Sequence, residues 1–240
     1  MIGRWLVTPL ALVGRDGAMV ETEPMPVLAV TRVACWTNAP RCTPRDDPSG
    51  IAMVGIGFGR EGDHQGQSTP DKNPLLRISG DQAERRRGYI LSAQGVHVGL
   101  TAANTRGAFR YRKLARAADT KDWAALQACV SLNGRTPPAC GTMLMDTGVS
   151  AMFITLPPSQ TQGQTGALAP GTEVSISVGG QEDGFALYRF TVDGDSLLAP
   201  AATHLRISDN RTFVNTSFHL LNGFDMLYDA DGGYAGFRRR

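Results

Sequence analysis

The chain has 240 residues, enough for one large domain or for two lobes with cores of their own. Hydrophobic content of 42% with 19% charged residues excludes a disordered chain, and a net charge of +2 gives no case for nucleic acid. No apolar run reaches the length of a transmembrane helix.

Taken in order, the chain alternates short strand-like stretches with turn residues. Extended structure is expected over Arg4 to Val13, Val20 to Val33, Ile51 to Phe58, Gly88 to Leu100, Ala124 to Leu132, Thr142 to Ile154, Thr172 to Val178, Phe185 to Val192 and Met226 to Phe237. These stretches are rich in Val, Ile, Leu, Phe and Thr and are bounded by Gly, Pro, Asn and Asp. Gly14-Arg15-Asp16-Gly17, Asn133-Gly134 and Asp231-Gly232-Gly233 fit hairpin turns. Only Asn73 to Ile78 and Ser217 to Leu221 read as helical, and both are short. The pattern predicts an all-β protein, with Gln160 to Pro170 as a surface loop between two β-rich halves.

Several motifs carry no chemistry. Gly57-Phe58-Gly59-Arg60-Glu61-Gly62 has dinucleotide-binding spacing, but the Gly, Gln and Pro that follow cannot open the helix that the pyrophosphate needs. His64, His97, His204 and His219 are scattered, without metal-ligand spacing, so no metal site is expected. Arg85-Arg86-Arg87 and Arg238-Arg239-Arg240 are read as solvated surface and tail. The cysteines fall as two local pairs, Cys35 with Cys42 and Cys129 with Cys140. They fit either small disulfide-closed loops in an exported (periplasmic or extracellular) protein or idle thiols, and their even number favours the first.

The most informative stretch is Met143-Leu144-Met145-Asp146-Thr147-Gly148-Val149-Ser150-Ala151-Met152-Phe153. Its apolar flanks place an ionisable turn inside the fold, where a lone carboxylate is costly and so usually has a reason to be kept. One such reason is water activation by two aspartates that share a proton, because adjacent like charges cannot both ionise. That chemistry needs a pair. The chain holds a single Asp-Thr-Gly.

The order of segments resembles a pepsin-like aspartic protease read from partway through its first lobe. Gly3-Arg4-Trp5-Leu6-Val7 and Leu10-Ala11-Leu12-Val13-Gly14 resemble the strands after that family's flap. Ile51 to Gly59 resembles the apolar-apolar-Gly strand behind the first catalytic loop, and Asn73 to Ile78 the short helix after it. Gly88 to Ser92, Val96 to Leu100 and Asp122 to Gly134 match the strands leading to the second catalytic loop, Cys140 to Gly148. Phe224 to Phe237 resembles the closing segment.

This resemblance implies a bilobal all-β fold with an incomplete first lobe. Residues 1–122 would hold the remainder of the N-terminal lobe and the inter-lobe strands, and 123–240 the C-terminal lobe. Asp146 would be the second-lobe catalytic aspartate, Thr147 would lock the two active loops by hydrogen bonds, and Gly148 would bring its N–H to the carboxylate. The partner implied is a polypeptide substrate met by a monomer, with no cofactor, metal, nucleic acid or membrane span.

The departures from the family shape the expectation. No Asp-Thr-Gly or Asp-Ser-Gly precedes residue 146, and the flap tyrosine would fall before Met1. Val149 stands where a hydroxyl residue is usual, and Phe213-Val214-Asn215 where the second apolar-apolar-Gly belongs. The chain is therefore expected to be an aspartic endopeptidase that begins partway through its first lobe and is inactive alone. The alternative is a pepsin-fold protein that binds peptide or protein without cleaving it. A symmetric dimer giving one Asp-Thr-Gly per chain is disfavoured, because the residues before Asp146 themselves read as lobe sequence.

Overall fold

The computed structural model of the protein describes residues 1–39, 42–60, 69–80, 85–117 and 122–240. His64 and the Glu61-Gly62 end of the glycine pattern lie outside the described residues. Among those residues the secondary structure is strand with a few single 3-10 turns, so the all-β expectation holds. Contacts divide the chain into two units, Met1–Glu84 and Arg85–Arg240.

The first unit contains β1 (Ile2–Thr8), β2 (Ala11–Val13), β3 (Met19–Glu21), β4 (Met25–Val33) and β5 (Arg45–Asp46). Pro9 and Pro24 cut the two long expected strands in two, since proline cannot donate to a ladder. β1, β4 and β5 form one antiparallel sheet in the order β1-β4-β5, and β2 and β3 form a hairpin across the predicted Gly14–Gly17 turn. A disulfide joins Cys35 and Cys42. The helical reading of Asn73 to Ile78 is corrected to a 3-10 turn over Pro74–Leu76, capped by Asn73 Oδ1, which accepts from the Leu75 N–H at 3.0 Å.

Ile51 to Phe58 was expected as a strand, but 51–57 has no regular structure and Met53 and Val54 are exposed. A strand needs neighbours for its N–H and C=O groups, and no described strand pairs with this segment.

The second unit has two sheets. Five strands, β6 (Arg86–Ser92), β7 (Gly95–Leu100), β8 (Arg110–Lys113), β17 (Phe224–Asp229) and β18 (Tyr234–Arg239), run in the order β7-β6-β17-β18-β8. The last part of residues 1–122 thus shares a sheet with the end of the chain. Eight more strands form the larger sheet: β9 (Leu126–Leu132), β10 (Ala139–Leu144), β11 (Ala151–Leu156), β12 (Gly166–Ala167), β13 (Glu173–Val178), β14 (Phe185–Thr191), β15 (Ala202–Ile207) and β16 (Phe213–Asn215). Their order is β12-β15-β11-β16-β10-β9-β13-β14.

The alternation of this larger sheet is clean. Met152, Ile154 and Leu156 on β11 and Val174, Ile176 and Val178 on β13 are buried while their neighbours are partly exposed, as a half-buried sheet requires. Cys129 and Cys140 face each other across β9 and β10 and are joined by a disulfide. Both disulfides are compatible with an oxidising or exported location. No helix of the described residues is long and apolar enough to cross a membrane.

Candidate functional site

The expected single stretch from Thr142 to Ile154 is two strands, β10 and β11, parted by residues 145–150 that carry the Asp-Thr-Gly turn. This turn is no hairpin tip. β10 and β11 do not pair with each other; β16 lies between them, parallel to β10 (Leu144↔Asn215) and antiparallel to β11 (Phe153↔Asn215). Gly141 makes the close approach possible, because a Cβ there would collide with the Thr212 carbonyl oxygen. Asp146 therefore sits just beyond the end of β10, where Leu144 lies opposite Asn215 of the intervening strand.

Asp146 is half-buried, and of the two methionines that precede it Met143 is buried and Met145 partly buried. Its Oδ1 accepts the Gly148 N–H at 2.9 Å, the contact expected of that glycine. Its Oδ2 accepts from Asn215 Nδ2 at 3.3 Å. No second carboxylate is among its hydrogen-bond partners in the described residues. Thr147 is exposed and makes no hydrogen bond among the described residues. Val149 contributes through its backbone, its carbonyl accepting the Phe218 N–H at 3.1 Å.

Asn215 is the partner of Asp146 that the sequence did not reveal. It ends β16, where the resemblance led us to expect a glycine, and is buried. Its Oδ1 accepts the Ser217 N–H at 3.1 Å, which fixes the amide so that its N–H side faces Asp146. Ser217 is fully buried with φ 62° and ψ −178°, a backbone region that is essentially glycine's and costs other residues about 1–3 kcal/mol. Its Oγ accepts the His219 N–H at 3.3 Å, starting the 3-10 turn Phe218–Asn222 where the sequence predicted a short helix. The Thr216 N–H donates to the Leu144 carbonyl at 2.9 Å, tying the far end of β16 to the strand that delivers Asp146.

Chemically, the site pairs a carboxylate with a side-chain amide held in one orientation. The carboxylate can take a proton from water or hold a ligand N–H, and the amide can donate to a carbonyl. No group of three or more His, Cys, Asp or Glu side chains suited to a metal occurs among the described residues. No model of a known protein family matches the chain, and no curated protein matches it.

Proposed function

We propose that the chain belongs to a pepsin-like aspartic endopeptidase in which Asp146 supplies one of two catalytic carboxylates. The observation that carries this reading is the Asp-Thr-Gly loop joining β10 and β11, two strands held apart by β16, whose terminal Asn215 bonds the Asp146 carboxylate. The first unit also supports it: β1 is an edge strand whose Trp5, Leu6 and Val7 are exposed, a surface that suits a further β segment, such as one bearing the first aspartate and the flap. In the assembled enzyme one carboxylate would accept a proton from water as it attacks, and the other, protonated, would polarise the scissile carbonyl. The described residues bring one carboxylate to this site, so on this reading the second comes from outside them.

The test is hydrolysis of an unfolded protein at acid pH. The 240-residue chain is compared with a form that also carries the in-frame segment encoded ahead of Met1. Cleavage by the longer form alone, blocked by a statine inhibitor and abolished by Asp146→Asn, is expected. Cleavage that survives Asp146→Asn would sink the reading.

One observation favours the non-catalytic alternative. Asn215 Nδ2 occupies Asp146 Oδ2, and the pair offers an acceptor and a donor side by side, the complement of a peptide group's N–H and C=O. On this reading the longer form binds an extended peptide, does not cut it, and loses the peptide on Asp146→Ala.

A further inference from the structure

The charge of the second unit is segregated between its two sheets. Residues 85–117 and 224–240, which build the five-stranded sheet, carry eleven Lys and Arg against three Asp and Glu, while residues 118–223 carry five against nine. The near-neutral total conceals this division. All three carboxylates of the cationic part are engaged: Asp229 by Arg86, Asp231 by Arg87, and Asp225 by Arg238 and Arg240. Arg106, Arg110, Lys113, Arg116 and Arg239 have no carboxylate partner among the described residues, and all five are exposed.

Around Lys113 the cations are interleaved with rings. The Lys113 ammonium stands 4.6 Å from the Trp123 ring and 4.6 Å from that of Tyr234, and the Arg116 guanidinium lies 3.9 Å from Trp123. Tyr234 meets Tyr111 edge to face at 6.3 Å, and beyond it Arg238 covers Phe109 at 4.4 Å. Register places Tyr234 opposite Lys113 and Gly236 opposite Tyr111, so these side chains share one face of the sheet. Stacking on rings holds the cationic groups in place before any ligand arrives, which lowers the ordering cost of binding.

We propose that this face of the five-stranded sheet binds an extended acidic polysaccharide, with Lys113, Arg116 and Arg106 meeting its carboxylate or sulfate groups. Charge complementarity selects an anion, and guanidinium groups suit planar or tetrahedral oxyanions. The geometry disfavours single-stranded nucleic acid, which needs free ring faces for its bases. Trp123 and Phe109 are buried and already stacked by cations, and the two exposed rings, Tyr111 (46%) and Tyr234 (38%), stand at 83° to each other and offer no shared platform. A lipid interface is disfavoured too, because those two tyrosines are the only exposed large apolar side chains on β8, β17 and β18. Their hydroxyls remain available to sugar oxygens. This inference is independent of any chemistry at Asp146.

The test measures binding of the 240-residue protein to heparin, to polygalacturonate and to a single-stranded oligothymidylate across a salt series. Binding to at least one polysaccharide that weakens with salt is expected, and Lys113→Gln/Arg116→Gln should lower that affinity on the order of tenfold. Arg206→Gln, which removes an exposed cation from the larger sheet, should change it less than about twofold. If circular dichroism shows the double variant misfolded, Arg106→Gln, whose charge stacks on no ring, provides the same comparison. An equal loss in Arg206→Gln, or no binding to either polysaccharide, would overturn the proposal. So would tighter binding to the oligothymidylate that is lost on Tyr111→Ala.

Discussion

Asn215 is wedged between Asp146 and Ser217: its Nδ2 donates to the Asp146 carboxylate at 3.3 Å while its Oδ1 accepts a buried backbone N–H at 3.1 Å. Removing the amide leaves both groups without that partner. Asn215→Ala should therefore destabilise the second unit by about 1–3 kcal/mol, the usual cost of leaving a buried polar group unpaired. Urea unfolding measures this, and an unchanged midpoint would show that water replaces the amide at no cost.

Tyr188 presents the opposite case. Its hydroxyl is buried without a hydrogen-bond partner among the described residues, so Tyr188→Phe should raise stability at neutral pH by about 1 kcal/mol. A lower melting temperature in the variant would contradict this.

Alkaline pH tests the same residue with Tyr228. Burial pushes both phenols well above their ordinary range, and Asp122 beside Tyr228 adds to its shift. Raised folded-state values mean that the stability contribution is whole below the unfolded tyrosine value of about 10 and is lost as pH climbs beyond it. Each phenol should steepen the fall by about 1.4 kcal/mol per pH unit. Tyr188→Phe should then flatten the alkaline limb of the unfolding curve while leaving its acid limb unchanged.

The Arg112 guanidinium bonds the Asp183 carboxylate, and with the Gly180 N–H, 3.0 Å away, it holds that carboxyl below its ordinary range. A depressed value means that the link is present above the unfolded carboxylate range and is lost as pH falls through the folded value. Arg112→Gln should move the Asp183 titration upward, read from its side-chain carbon by NMR. No movement would show the pair to be absent in solution.

The Cys129–Cys140 disulfide closes a short loop at the base of the strand that delivers Asp146. Replacing both cysteines by Ala should cost about 2–3 kcal/mol, as a loop of this length predicts. The Cys35–Cys42 pair lies in the other unit, so its removal should leave the unfolding midpoint of the second unit in place.

Local features were legible in the sequence and distant ones were not. The strand class and the hairpins at Gly14–Gly17 and Asp231–Gly233 follow from neighbouring residues, whereas the Asp-Thr-Gly turn, expected inside the fold, lies at its surface with Asp146 half-buried and Thr147 and Gly148 exposed. Asn215 was visible only as a lost glycine, because its meaning depends on Asp146, 69 residues away. β16 is three residues long and too short to show a period, and Ala202–Ile207 was missed because Thr, His and Arg interrupt its apolar positions. Ile51 to Phe58 failed for the converse reason: apolar composition makes a segment fit for a strand, but a partner makes it one. The basic runs at 85–87 and 238–240 looked separate until the pairing of β6 with β17 and of β17 with β18 brought them onto one sheet.

The crossing of β16 between β10 and β11 also sets an order of events. As the chain leaves the ribosome, the Asp146 turn emerges with an empty slot between its two flanking strands, and the strand that fills it follows only after β12 to β15. Such long-range pairing is slow, and until it occurs the carboxylate has no amide beside it and no ordered floor. A nascent chain thus carries Asp146 without its amide partner until Asn215, 69 residues later, has been made and β16 has paired.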